Sequence, residues 1–155
     1  MDKPLDNPGV IAFPPFIWLV NAVISVVVHL LIRLPIMKYS ICLVCGMVFI
    51  ILAPTLALSA LGTMKAAGTN VHLSEPALTL VRGGPFRFTR NPMYLALCLV
   101  QIALGFFLND WFTLLFVVPL AFILRNGVIL REERYLIAKF GEPYLQYKRE
   151  VRRWI

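Results

Sequence analysis

Apolar residues in this chain gather into four long runs. The first, Phe16 to Leu34, reads FIWLVNAVISVVVHLLIRL, and the second covers Ile41 to Leu61. Each approaches the ~20 residues a helix needs to cross a bilayer. A third run opens at Pro92 and reaches Leu108; a fourth opens at Trp111 and reaches Leu130. The pattern predicts an all-α, multi-pass membrane helix bundle with about four transmembrane helices, at 16–34, 41–61, 92–108 and 111–130. One domain, residues 1–155, holds them all. The third run is short for a full crossing, which tilt or local thinning of the bilayer accommodates.

Polar residues inside and between the runs refine this picture. Asn21, Ser25 and His29 recur at steps of four, with Arg33 continuing the row. That spacing puts them on one side of a helix, facing the protein interior, where hydrogen bonds to other helices are expected. A direct chemical role for His29 is the sharper alternative. Pro54 predicts a kink in the second run, with Thr55 and Ser59 at hand for the disturbed backbone, and Pro119 predicts another in the fourth. Asn91 followed by Pro92 signals a helix start, with the Asn side chain expected to cap free amides. Asn109 and Asp110 make a short turn, so the third and fourth helices form a hairpin. Beyond Leu130 the helical spacing persists while the residues turn polar, and Gly141 with Pro143 predicts its end. Tyr144 to Ile155 mixes aromatic, apolar and basic residues, as an interfacial tail does. A cytoplasmic C-terminal helix and tail therefore complete the bundle. No internal repeat or low-complexity segment is visible.

Composition supports lipid as the solvent. The chain is 59% hydrophobic, more than a 155-residue globule can bury. Its net charge of +7 comes from basic residues that flank the apolar runs. That placement fits membrane anchoring, and no nucleic-acid motif accompanies it. With four spans, the loop before Pro92 and the C-terminal tail share a side that carries most of the Lys and Arg; the other side has Arg33 and Lys38. Both termini and the long loop are thus expected to be cytoplasmic. Cys42, Cys45 and Cys98 all sit in apolar runs and read as helix-packing residues, with no metal or redox site expected. Asp2, Pro4, Asp6 and Pro8 ahead of the first run do not make a signal-peptide pattern.

Two polar clusters meet on the predicted cytoplasmic face. One is RGGPFRFTRNPMY, Arg82 to Tyr94; the other is REER, Arg131 to Arg134. A hairpin brings them together, because the third helix begins where the fourth ends. The helix start at Asn91 and Pro92 presents free amides that suit a carboxylate or phosphate. Gly83 and Gly84 allow close backbone approach. Glu132 and Glu133 can bind an ammonium, and Phe86, Phe88 and Tyr94 can pack a flat ring. A small zwitterion with an aromatic group fits this set, and S-adenosyl-L-methionine is such a molecule.

The pattern LVRGGPFRFTRNPMYLAL, then a hairpin, then EERYLIAKFGEPYLQYKREVRRWI, resembles the isoprenylcysteine carboxyl methyltransferase and phospholipid methyltransferase superfamily of integral membrane enzymes. The resemblance covers Leu78 to Ile155, about half the chain. It implies a methyltransferase that uses S-adenosyl-L-methionine. It also implies that the segments 78–94 and 131–155 build the cofactor site. Leu78, Thr79, Leu80 and Val81 match a segment lining that site, and Phe86 stands where a cofactor-contacting tyrosine is common. Arg90, Asn91, Pro92 and Tyr94 match an Arg-His-Pro-x-Tyr element, with Asn91 in the histidine's place. Glu132 matches the acidic residue that holds the cofactor's amino-acid part. The substrate-side arginine of the carboxyl methyltransferases aligns near Val128, so Arg125 or Arg131 would take that part.

The acceptor implied is lipid-like or amphiphilic, with membrane lipids as surroundings. A carboxylate acceptor is already anionic and needs an arginine to orient it. An amine must first lose a proton, for which Glu133 is the nearest base. Carboxyl O-methylation is the first expectation, weakly favoured by the surplus of arginine, and phospholipid N-methylation is the alternative. A non-catalytic membrane scaffold would keep the helices and need no pocket. A transporter has only the Asn21 row in its favour. Oligomeric state is open at this level.

Overall fold

The computed structural model describes residues 8–71 and 75–155. Among them every regular element is helical: α1 (Pro14–Leu31), α2 (Tyr39–Ala66), a single tight turn (Gly84–Arg87), α3 (Pro92–Phe107), α4 (Trp111–Leu115), α5 (Val117–Leu124), a π-helical turn (Arg125–Ile129), α6 (Leu130–Phe140) and α7 (Glu142–Glu150). Three stretches are long and apolar enough to cross a membrane: α1, α2, and the nearly continuous rod from Trp111 to Phe140. The third expected span, α3, has 16 residues and is about 24 Å long at the helical rise. Large apolar side chains such as Leu30, Val44, Ile51 and Leu58 lie exposed along α1 and α2, as in a protein whose outer solvent is lipid.

The fourth run is not one smooth helix. It breaks at Phe116, three residues before Pro119. Proline has no amide to give the Leu115 carbonyl, and its ring crowds that carbonyl, so the turn before it tightens. Further on, the rod widens at Arg125–Ile129, where the N-terminal segment crosses it: the Ile11 amide donates to the Gly127 carbonyl at 3.2 Å. Such a turn holds an extra residue and rotates the following helix about its axis. It sets the face on which α6 presents Glu132 and Glu133.

The hairpin between α3 and α4 is held from both sides. Gly105 allows the backbone of α4 to approach; a Cβ there would lie 2.6 Å from the Leu114 Cα. Asp110 caps α4 by accepting from the Thr113 amide at 2.8 Å, and it also accepts the Leu34 amide at 2.9 Å. Asn109 accepts the amides of Ile36 and Met37 and the thiol of Cys42. The turn thus fastens the α1–α2 link, a role that its two-residue length does not announce. Above it, the polar row of α1 faces inward. Asn21 donates to the Phe116 carbonyl at 3.2 Å, and Gln101 donates to Ser25 at 3.3 Å. His29 Nδ1 lies 3.6 Å from Asp110. These contacts make the row interhelical bonding.

The apolar core lies at the other end, where Ile17 of α1, Tyr94 and Cys98 of α3 and Leu120, Leu124, Val128 and Ile129 of the long rod meet. Trp154 packs on it, so the C-terminal tail folds back onto the bundle. Within the expected interfacial tail, residues 144–155, the first part belongs to α7 and the last residues dock on the bundle.

Candidate functional site

A cleft opens where the start of α3, the end of the long rod, α7 and the loop after α2 converge. Hydrogen bonds shape that loop. Buried Thr69 accepts the Leu78 amide at 3.0 Å, Asn70 donates to the Pro76 carbonyl at 3.1 Å, and the Tyr135 hydroxyl accepts the Ala77 amide at 3.0 Å. Farther along, the Tyr147 hydroxyl donates to the Phe86 carbonyl at 2.7 Å, and Arg82 donates to the Pro143 carbonyl while lying over the Tyr147 ring. Helix α7 is therefore the backing of the loop as well as one wall of the cleft.

The structure brings most of the expected residues to this one place. Thr79, Leu80, Val81 and Phe86 line it from the loop; Arg90, Asn91, Pro92 and Tyr94 line it from the start of α3; Glu132 and Glu133 face them from α6. Three expected residues are elsewhere. Leu78 is exposed, Arg125 bonds Asn126 at the surface, and Arg131 donates to the Gly9 carbonyl at 2.8 Å. Val128, where the substrate-side arginine aligned, is fully buried in the core.

Asn91 stands at the N-cap position of α3 but does not cap it with its side chain. Its side-chain NH2 instead donates to the Arg153 carbonyl at 2.9 Å, and the Thr89 hydroxyl donates to the same oxygen at 3.2 Å. Since Leu95 is the first residue to bond back into the helix, the amides of Met93 and Tyr94 lack an intrahelical acceptor. Both residues line the cleft, at the positive end of the helix dipole.

Glu132 and Glu133 are adjacent in sequence and differ in partners. Glu133 is 5% exposed and ringed by cations. Arg153 meets it with two nitrogens, at 2.8 and 2.9 Å; Arg90 Nη1 is 3.1 Å away and Lys148 Nζ 3.7 Å. The Glu133 hydrogen bond in turn raises the Arg153 pKa above its ordinary value. Glu132 has a different neighbour: the Tyr94 hydroxyl donates to it at 2.8 Å, and no cation pairs with it among the described residues. Tyr144, also on the cleft wall, is pushed up to about 12 by burial and then by Glu133, so it stays a neutral phenol.

Sequence reasoning did not single out Thr69, Asn70, Tyr135, Tyr144 or Tyr147, though the last three fall in the expected segment 131–155, and all five line the cleft. The closing F-G-x-x-Y-x-x-Y pattern, Phe140 to Tyr147, carried a signal for the last two. Nothing in the local pattern marks Thr69. Arg153 was one of many tail cations, and only the fold singles it out.

A family model described as phospholipid methyltransferase matches residues 41–143, most of the chain and most of the cleft. An uncharacterized protein of Haemophilus influenzae is 40% identical over 63 residues, which are 41% of this chain and all of that protein. No solved structure matches.

Proposed function

Because the chain belongs to the phospholipid methyltransferase family, we propose that it is an S-adenosylmethionine-dependent methyltransferase acting on an amphiphilic acceptor at the membrane. The observation that carries this reading is Glu132: a carboxylate on the cleft wall with no cation of its own among the described residues. A carboxylate withdrawn from water without a partner is costly, and a ligand ammonium offsets that cost. Glu132 receives the amino group of the donor. The free amides of Met93 and Tyr94 suit its carboxylate. Leu80, Val81 and Phe86 offer an apolar wall for its base.

The bound donor supplies a methyl group on a sulfonium. The chain's residues have to place the acceptor in line with it and keep water out. Tyr94 holds Glu132 in position through its hydroxyl. Among the described residues the cleft carries three carboxylates, Glu75, Glu132 and Glu133, against the single guanidinium of Arg90, which Glu133 already neutralises. With Arg125 and Arg131 outside the cleft, this charge favours an amine acceptor over a carboxylate. Glu75, exposed at the cleft edge, can take the proton that such an amine must release. Glu133, held by three cations, is a poor base and a good anchor. The charge bias of the loops supports a cleft on the cytoplasmic face, where a water-soluble donor and a bilayer-borne acceptor meet.

The test is methyl transfer by protein reconstituted in vesicles of total membrane lipid, with a methyl-labelled donor. Label in the lipid extract that survives mild base supports an amine acceptor. Label released by base as methanol moves the acceptor to a carboxylate. Extracts that stay unlabelled contradict the assignment.

A further inference from the structure

Among the described residues the cleft holds one guanidinium, for which the reaction has no evident use. Arg90 stands four residues before Tyr94, whose hydroxyl reaches Glu132, and it lines the same cleft as both carboxylates. Its side chain is 6% exposed. An arginine so placed is a rival for the seat of the donor's ammonium: turned towards Glu132, it would form an internal ion pair and close the site to its ligand. The structure shows it paired instead with Glu133, through Nη1 and Oε1 at 3.1 Å.

Glu133 is built to keep it there. Oε1 takes Arg90 and Arg153 Nε; Oε2 takes Arg153 Nη2 and Lys148. The two-point grip of Arg153 fixes the plane of the carboxylate. The backbone is fixed as well, since the Arg90 amide donates to the Arg152 carbonyl at 3.1 Å and the Asn91 side chain to the Arg153 carbonyl. Resting on the functional reading above, we propose that Glu133 is a positioning residue that holds Arg90 away from Glu132 and so reserves Glu132 for the cationic methyl donor. The adjacent acids then differ in what they hold, since Glu133 collects the protein's cations and Glu132 stays open for the ligand's.

Calorimetric titration of S-adenosylhomocysteine into protein in lipid nanodiscs tests this. Glu133→Asp, which keeps the charge, should bind within about threefold of the parent, and Glu133→Gln should bind about tenfold or more weakly, the scale of one charge-assisted contact. Adding Arg90→Gln to Glu133→Gln should recover a large part of the loss, because the rival cation is gone. A Glu133→Gln protein that binds like the parent, or a double variant no better than the single, overturns the proposal. Should Glu133→Gln alone not fold, the double variant with Arg90→Gln serves, since holder and rival are both gone: its affinity should stay within about threefold of the parent, and a loss of about tenfold overturns the idea. A parent protein that binds no S-adenosylhomocysteine defeats the functional reading itself, a result distinct from any of these.

Discussion

Replacing Glu132 by Gln removes a charge for which the described residues supply no cation. The ligand-free protein should therefore be as stable as the parent or slightly more stable, by up to about 1 kcal/mol. Replacing Glu133 by Gln takes the shared counter-ion from Arg90 and Arg153; with Arg90 turned to Glu132 the Arg153 pair is still lost, and stability should fall by about 3 kcal/mol. Reversible unfolding of both variants in mixed micelles checks the contrast; equal losses would contradict it. Tyr94→Phe deletes one hydrogen bond to Glu132, worth about 1–2 kcal/mol. The variant should keep the fold and bind S-adenosylhomocysteine about tenfold less tightly by titration. Much at this scale was readable beforehand. Asn91, Pro92, Tyr94 and Glu132 stood in a recognisable order, and the hairpin that joins them followed from hydrophobic runs. The different fates of the two glutamates were not readable, because the cations around Glu133 come from Arg90, Lys148 and Arg153, two of them in α7 and the tail.

At the scale of elements, the α3–α4 hairpin is the joint that brings the two halves of the cleft together. Gly105→Val would place a branched side chain on the backbone of Leu114, where even a Cβ lies at 2.6 Å. Overpacking at a site closed by backbone costs about 3 kcal/mol or more, so the variant should lose most of its folded yield on size-exclusion chromatography. Breaks caused by the chain's own chemistry were legible: Pro119 interrupts the rod and Gly141 ends α6. The π-helical turn was not, because it forms where a distant segment, Gly9 to Ile11, lies against it. Val128, where the resemblance aligned the substrate-side arginine, lies buried within that turn.

At the scale of the whole molecule, a long apolar surface, a polar joint at one end and a charged cleft at the other give the chain a direction in the membrane. The loop charges favour an inward-facing cleft, which is the orientation proposed here. In a variant with the native cysteines replaced, a cysteine at exposed Arg87 should react with an impermeant maleimide only after cells are opened, and one at exposed Lys38 should react in intact cells. The reverse pattern would contradict the orientation. The most direct measurement of the central claim compares two ligands on two proteins. S-adenosylhomocysteine carries the ammonium that Glu132 is held to receive; methylthioadenosine shares the nucleoside and lacks the amino acid. Titrated into the parent in nanodiscs, the first should bind at least about tenfold more tightly than the second, and Glu132→Gln should largely erase that preference. Equal affinities in the parent, or a preference that survives the substitution, would contradict the account.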